Sequence, residues 1–189
     1  MQTTSHFIGI ELKSEIFSDI FVKVYKYLKE NTIEESVALQ NPLSPHITLY
    51  YLEKNIPEND IASIQSDIQR LDVWSPINLT WINYFFRGDD RFVLFFNTNT
   101  DINLESYRNT LHNTYKRTQV EDNSFDFSPH VTFLKILDSS TFETHRMNIE
   151  KIISEEIEKI KSLDVNSWKV YLYAVNSMYK EEIQIKLQS

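Results

Sequence analysis

A six-residue sequence occurs twice in this chain of 189 residues. Residues 44–49 read Ser-Pro-His-Ile-Thr-Leu and residues 128–133 read Ser-Pro-His-Val-Thr-Phe, so His130 follows His46 by 84 positions (130 − 46 = 84). Four of the six positions are identical, and the other two exchange one apolar residue for another. A single His-x-Thr triplet carries little weight, because His112-Asn113-Thr114 repeats it inside a predicted helix, on a face expected to be solvated. The duplication of the whole hexapeptide is the informative feature.

Each hexapeptide stands at the start of a predicted strand. Side chains two residues apart leave a strand on the same face, so His46 points with Thr48, and His130 points with Thr132. The apolar residues between them then face a core. The proline before each histidine suits the first residue of a strand, where its missing N–H is tolerated. Two such strands facing each other would surround one small space with two imidazoles and two hydroxyls.

This set of side chains suits the cleavage of a phosphodiester. Two imidazoles, each with a pKa of about 6.5, can act as general base and general acid in one turnover, and hydroxyl donors can bind the non-bridging oxygens of a phosphate. We therefore predict in-line cleavage without a metal. The competing interpretation, in which each histidine is an ordinary strand residue and each threonine serves β propensity, is weakened by the duplication. A zinc site would need a third ligand, and Glu53 is the one carboxylate near either motif at ligand spacing.

Composition excludes several other classes of enzyme. The chain has no cysteine, which removes disulfides, thiolate metal sites and cysteine nucleophiles. Its two glycines, Gly9 and Gly88, are isolated, whereas a P-loop or a dinucleotide-binding loop needs clustered glycines. The 19 basic and 27 acidic residues give a net charge of −8, which disfavours a protein that holds long nucleic acid through its phosphates. We expect a nucleotide or a short oligonucleotide as substrate, and no metal or other cofactor.

Hydrophobic periodicity predicts an α+β fold in one domain, residues 1–189. Two aromatic strands are joined by a turn-like segment, Arg87-Gly88-Asp89-Asp90. Ser140 with Glu143 resembles a capping box at the start of the last helix. The mixture of hairpins and strand–helix units favours α+β over a doubly wound parallel sheet. The predicted strands are 7–12, 45–52, 76–86, 91–98, 129–137, 165–175 and 182–187, and the apolar stripes of the predicted helices are 16–28, 61–71, 104–115 and 149–160.

No part of the sequence indicates a membrane span or a secretory route. The longest apolar runs, such as Phe92 to Phe96, are far too short to span a bilayer. Residues 1–6 lack the basic and apolar segments of a signal peptide. We therefore expect a cytoplasmic protein that makes no membrane contact and is a monomer.

The paired His-x-Thr motifs, each followed by an apolar residue on a strand, resemble those of the 2H phosphoesterase superfamily, the LigT-like proteins. The opening strand at 7–12 and the late segments 170–173 and 183–187 resemble the first and closing strands of that family. The resemblance covers nearly the whole chain. It implies a bilobal fold in which two antiparallel sheets, related by pseudo-twofold symmetry, surround a central groove, with the helices on the outside.

The resemblance also implies roles for individual residues. His46 and His130 become the acid/base pair, and Thr48 and Thr132 become the phosphate ligands. Members of the family hydrolyse or ligate 2′-linked and 2′,3′-cyclic phosphodiesters, and some viral and phage members degrade immune-signalling oligonucleotides. Many members carry an arginine five residues after the second histidine, where this chain has Lys135.

Two further residues are candidates for contacts in the groove. Lys135 is a candidate phosphate ligand, although strict alternation places it on the core side of its strand, so its access depends on a twist or a bulge. Tyr50 lies two residues after Thr48, so strict alternation places it on the same face as His46 and Thr48. It is a candidate for stacking on a base, with packing in the core or at the rim as the alternative.

Three functions remain open. The first is metal-independent cleavage of 2′,3′-cyclic or 2′-5′ phosphodiesters in nucleotides or short RNA. The second keeps the same site but acts on cyclic or 2′-5′-linked signalling oligonucleotides. The third is a binding module that keeps the groove without turnover. The two intact His-x-Thr motifs disfavour the third, because a binder needs no pair of proton-transfer groups.

Overall fold

The computed structural model confirms the α+β class. It describes residues 4–12, 15–40, 45–53, 55–71, 77–88, 90–100, 102–115, 126–160, 169–176 and 183–187. The strands are β1 Thr4–Glu11, β2 Val37–Leu39, β3 His46–Leu52, β4 Ile77–Phe86, β5 Phe92–Thr100, β6 His130–Ile136, β7 Val170–Asn176 and β8 Ile183–Leu187. The helices are α1 Glu15–Glu30, α2 Glu58–Ile68, α3 Leu104–Thr114 and α4 Ser139–Ile160, with a short 3-10 helix at Glu34–Ser36.

The predicted helices and strands agree with this order, and β2 is the addition. Three residues are too few to show a period of two, so alternation could not indicate β2. Ser44, Asp89 and the predicted strand positions 76, 165–168 and 182 lie outside the described residues. Within the described part of the chain, no helix combines the length and the apolar character needed to cross a membrane.

The strands form one antiparallel sheet in the order β4-β5-β6-β3-β1-β7-β8, with β2 paired to β6. This corrects the expectation of two separate sheets, because β3 and β6 pair directly at Ile47 and Val131 and so join the two halves. The two motif strands are neighbours at the centre of the sheet. β1 lies beside β3, and α1 separates these two strands in the sequence. In the same way, β5 lies beside β6, and α3 separates them. The pseudo-twofold relation between the halves stays a prediction.

The helices cover one face of this sheet. Buried apolar side chains from α1, α2, α3 and α4 belong to the same core cluster as Ile47 and Val131. Strand alternation therefore turns the histidine and the threonine of each motif to the opposite face, which we call the motif face. Buried aromatic and aliphatic residues also stand there, outside the core cluster: Phe7, Val93, Phe95 and Tyr173.

The start of α4 differs from the prediction. The Asp138 carboxylate accepts a hydrogen bond from the backbone N–H of Thr141 at 2.7 Å, so Asp138 is the N-cap. The predicted capping box at Ser140 and Glu143 is therefore wrong, and both residues lie inside the helix. The Thr141 hydrogen bond is the largest of the causes that hold the pKa of Asp138 below its usual value.

Candidate active site

The central pair of strands brings the two motifs together. β3 and β6 run antiparallel and pair at Ile47 and Val131, the residues between the histidine and the threonine of each motif. In this register the threonine of each motif lies next to the histidine of the other. Ile47 is 0% and Val131 1% exposed, whereas the flanking side chains are half-buried on the motif face. The four side chains brought together are His46, Thr48, His130 and Thr132.

Both motif strands contain a β-bulge one residue after the threonine. Leu49 is skipped in the pairing of β3 with β1, and Phe133 is skipped in the pairing of β6 with β5. An extra residue reverses the alternation of every side chain beyond it. The two strands accordingly have the same burial pattern, in which the residue after the bulge is buried and the next is half-buried.

The bulge in β6 places Lys135 on the motif face. Its partner on β5 is Val93, two residues from Phe95, which is the partner of Thr132. Residues two apart on the undisturbed strand β5 share a face, so Lys135 lies on the same side as Thr132. The twist or bulge on which its access depended is therefore present, and Lys135 is half-buried there.

The bulge in β3 has the opposite consequence for Tyr50. This side chain is 1% exposed and belongs to the core cluster, and its hydroxyl lies 3.3 Å from Nδ1 of His112 on α3. The prediction that Tyr50 stacks on a base is therefore wrong, because strict alternation did not allow for the bulge. Tyr51, which pairs with Phe7 of β1, occupies the position on the motif face.

His130 is held by a hydrogen bond at the start of its own strand. Its Nδ1 lies 2.8 Å from the carbonyl oxygen of Ser128, and because a carbonyl only accepts, Nδ1 carries the proton. In the neutral ring Nε2 is then a proton acceptor. Desolvation by burial lowers the pKa of His130 below its usual value, against the opposing effect of the Ser128 hydrogen bond. In neutral His130, the basic nitrogen is thus Nε2, which takes no part in the hydrogen bond to Ser128.

His46 lies against two stacked aromatic rings. The rings of Phe7 and Tyr173 are 4.7 Å apart and nearly parallel, and the His46 ring lies 4.8 and 4.9 Å from them. Gly9 makes this arrangement possible. A Cβ atom at Gly9 would meet the carbonyl oxygen of Ile47 at 2.9 Å and the Tyr173 ring at 3.3 Å.

One aromatic ring next to His130 remains accessible. Phe85 of the edge strand β4 is 38% exposed, packs on Phe95 at 5.5 Å and lies edge-on to His130 at 6.0 Å. The sequence marks residues 76–86 as an aromatic strand. It does not reveal which of those aromatic residues faces the motifs, since that depends on how β4 pairs with β5.

The sequence offered one carboxylate as a candidate third ligand for a metal. Glu53 is exposed at the end of β3. Among the described residues, no three histidine, aspartate or glutamate side chains are grouped closely enough to hold a metal ion.

Comparison with known proteins finds similarity in three-dimensional structure. No protein-family model matches the sequence, and no curated protein matches it. The protein TT0787 of Thermus thermophilus gives a TM-score of 0.62 at 15% identity, over 97% of this chain and 95% of its own. E. coli LigT complexed with 3′-AMP gives 0.54 at 15% identity, over 98% of this chain and 96% of its own. The chain has the LigT-like fold.

A third structure supports the same conclusion. A protein described as a phosphoesterase matches with a TM-score of 0.57 at 17% identity, over 98% of this chain and 96% of its own. The LigT-like fold therefore extends over almost the whole chain. The resemblance to the 2H phosphoesterases that the two motifs indicated is confirmed at the level of the fold.

Proposed function

We propose that this LigT-like protein is a metal-independent phosphodiesterase that cleaves 2′,3′-cyclic phosphate or 2′-5′ phosphodiester bonds in nucleotides or short RNA. One observation carries the proposal. The two His-x-Thr motifs flank a single strand pair, Ile47 with Val131, on one face of one sheet. Cleavage of a phosphodiester needs one proton removed from the nucleophile and one delivered to the leaving oxygen, and two neighbouring imidazoles can do both.

The hydrogen bond between His130 and Ser128 indicates how the roles divide. Because Nδ1 of His130 donates to the Ser128 carbonyl, Nε2 accepts the proton of the attacking water or ribose hydroxyl as its oxygen bonds to phosphorus. His46 then donates a proton to the leaving oxygen as its bond to phosphorus breaks. The hydroxyls of Thr48 and Thr132 donate to the non-bridging oxygens, where negative charge increases in the transition state. Lys135 adds a positive charge on the same face.

The substrate is a small nucleotide in this proposal. E. coli LigT has been solved with 3′-AMP, with NADP+ and with ATP, which are all of that size. The net charge of −8 argues against an extended track for further phosphates. Phe85 replaces Tyr50 as the residue for stacking on a base, because its ring is both exposed and beside His130.

A substrate panel tests the proposal. The purified protein is incubated with 2′,3′-cyclic nucleotides, 2′-5′ oligoadenylates and cyclic dinucleotides, with and without EDTA, and products are separated by chromatography. We expect turnover of a 2′,3′-cyclic or a 2′-5′ substrate that survives EDTA. Cleavage of cyclic dinucleotides alone would favour the signalling-oligonucleotide hypothesis. Binding of every class without turnover, or a strict need for added Zn²⁺, would contradict the proposal.

A pair of neighbouring phenylalanines tests the stacking residue. Phe85 and Phe86 are consecutive on β4, so they lie on opposite faces, and Phe86 is the more exposed of the two at 59%. Phe85→Ala is expected to raise KM about 5- to 150-fold with a smaller change in kcat, since stacking contributes about 1–3 kcal/mol per base. Phe86→Ala is the matched control and is expected to leave both constants unchanged. Equal effects of the two substitutions would refute the assignment.

A further inference from the structure

The two motifs are alike, but their cross-strand neighbours are not. On β1, the residue opposite His46 is Glu11. On β5, the residue opposite His130 is Asn97. One imidazole therefore stands beside an acidic side chain and the other beside a neutral amide.

The strand pairing brings Glu11 close to His46. The backbone N–H of Leu12 donates to the carbonyl of Pro45 at 2.8 Å, so the next pair, Glu11 with His46, is one without mutual backbone hydrogen bonds. In antiparallel sheets such pairs have the closest side chains, with Cβ atoms about 4.5–5.5 Å apart. Glu11 shares the motif face with Phe7 and Gly9, because β1 alternates regularly, and it is only 8% exposed.

We propose that Glu11 is a positioning residue that keeps His46 protonated, so that His46 serves as the general acid while His130 serves as the general base. The inference rests on the proposed function and deepens it. It explains how two copies of one motif take different roles, since the distinction comes from β1 and β5 and not from the motifs themselves.

Simple electrostatics supports this division. A carboxylate within about 4–6 Å of an imidazole favours the charged form, and the effect is stronger where water is excluded. Beside His130 there is no such carboxylate on β5, and burial lowers the pKa of that histidine. The two environments therefore separate the proton affinities of the pair in the direction that acid/base catalysis requires.

Other titratable groups face His46 among the described residues. Its own strand contributes Tyr51, β6 contributes His130 and Lys135, and β7 contributes Tyr171 and Tyr173. Lys169 precedes β7, accepts the backbone hydrogen bond of Glu11 and has an exposed side chain. The positive groups in this set oppose protonation of His46, which leaves Glu11 as the acidic group that favours it.

The test combines titration with turnover. The pKa values of His46 and His130 are measured by NMR in the wild-type protein and in Glu11→Gln, which keeps the shape of the side chain and removes its charge. We expect the substitution to lower the pKa of His46 by about one unit and to leave that of His130 nearly in place. On the best substrate of the panel, the alkaline limb of kcat/KM should move down by the same amount, so that activity falls about tenfold at pH 8 and little at pH 6.

Two further variants complete the experiment. Glu11→Asp keeps the charge and is expected to preserve the alkaline limb, which a purely steric role would not predict. Asn97→Asp gives His130 a carboxylate and is expected to move the acidic limb upward. An unchanged His46 titration in a folded Glu11→Gln protein would overturn the inference even if the enzyme is active. Absence of turnover with a shifted His46 titration would instead count against the proposed function.

Discussion

At the scale of single residues, the proposed mechanism makes the two histidines one catalytic unit and assigns one hydrogen bond to each threonine. We expect His46→Ala and His130→Ala each to lower kcat by several orders of magnitude, and the double variant to be scarcely worse, because removing either proton-transfer group already disables the concerted path. Thr48→Ala and Thr132→Ala should cost about 10- to 1000-fold, the range for one lost transition-state donor. Steady-state kinetics on the panel substrates measures these losses.

Matched controls exist elsewhere in the chain. His145 bonds to the Tyr27 hydroxyl, and Thr114 is exposed at the end of α3 and donates to a backbone carbonyl. Neither lies on the motif face. His145→Gln and Thr114→Ala should therefore keep full activity, and full activity in either motif-histidine variant would refute the catalytic assignment.

The proposed role of His130 as general base, together with its environment, predicts how activity depends on pH. Burial lowers the pKa of His130, and a general base must be neutral, so activity should persist as the pH falls below 6.5. The acidic limb of kcat/KM should lie below that pH. The free energy of unfolding should also fall as the pH falls. The His130 imidazole binds its proton at a higher pH in the unfolded chain than in the folded one, so the stability contributed by neutral His130 is lost as the pH falls through the folded pKa. An acidic limb above pH 7, or an NMR titration of His130 above its usual pKa, would contradict this.

At the scale of elements, the close approach of β1 and β3 decides the geometry around His46. Gly9→Ala would drive a Cβ atom to within 2.9 Å of the Ile47 carbonyl oxygen, which belongs to the strand pair between the motifs. We expect a loss of about 1–3 kcal/mol in unfolding free energy together with a lower kcat, since the strand must shift. Urea unfolding and kinetics measure the two effects.

A substitution at the other glycine, Gly88, tests the effect of backbone strain on stability at a site outside the two motifs. Gly88 has a φ of +71° in the turn between β4 and β5, and a Cβ atom added there would meet no non-neighbouring heavy atom within 4 Å. Gly88→Ala should cost about 1–2 kcal/mol of stability through the left-handed backbone alone, with no change in kcat. A normal kcat in Gly9→Ala would show that the contact with Ile47 does not position the motif.

The cap of α4 offers a test at the same scale. Asp138→Ala removes the acceptor for the Thr141 N–H and should lower the unfolding free energy by about 0.5–2 kcal/mol. Ser140→Ala, at the position that the sequence pattern suggested, is the matched control and should change stability by less than about 0.5 kcal/mol. If urea unfolding showed a larger stability loss for Ser140→Ala than for Asp138→Ala, the result would favour the capping box at Ser140 and Glu143 over the Asp138 cap.

At the scale of the whole molecule, the net charge leads us to expect a small substrate. With a net charge of −8, we expect kcat/KM to depend weakly on salt, with the slope of one or two phosphate contacts at about −0.7 each. A dinucleotide should then be cleaved as well as a long RNA that contains the same bond. Kinetics from low to high salt on both lengths measures this, and a steep slope with a preference for long RNA would reveal a basic surface.

Most of the fold could be predicted because its signals are local. The alternation around His46 and the helical spacing of Ile20, Val24 and Leu28 each lie within one element, and both describe what the structure contains. The parity of Tyr50 and Lys135 could not be predicted, since each lies beyond a bulge that exists only in relation to a neighbouring strand. The joining of the two halves into a single sheet could not be predicted either, because no local pattern encodes the pairing of β3 with β6.

The sequence by itself determined which residues are available for the proposed chemistry: two imidazoles and two hydroxyls on strands, with an apolar residue between each pair to hold it against a core. These properties depend on residue type and on a period of two, which a strand carries along its own length. Only the tertiary structure decided that the two strands touch, that Ser128 sets the tautomer of His130 and that Glu11 stands opposite His46. The hydrogen bond between Ser128 and His130 is local, but it depends on how the backbone bends before β6. The other two contacts join distant parts of the chain, and the hydrogen-bond register between strands selects them, not the character of any one segment.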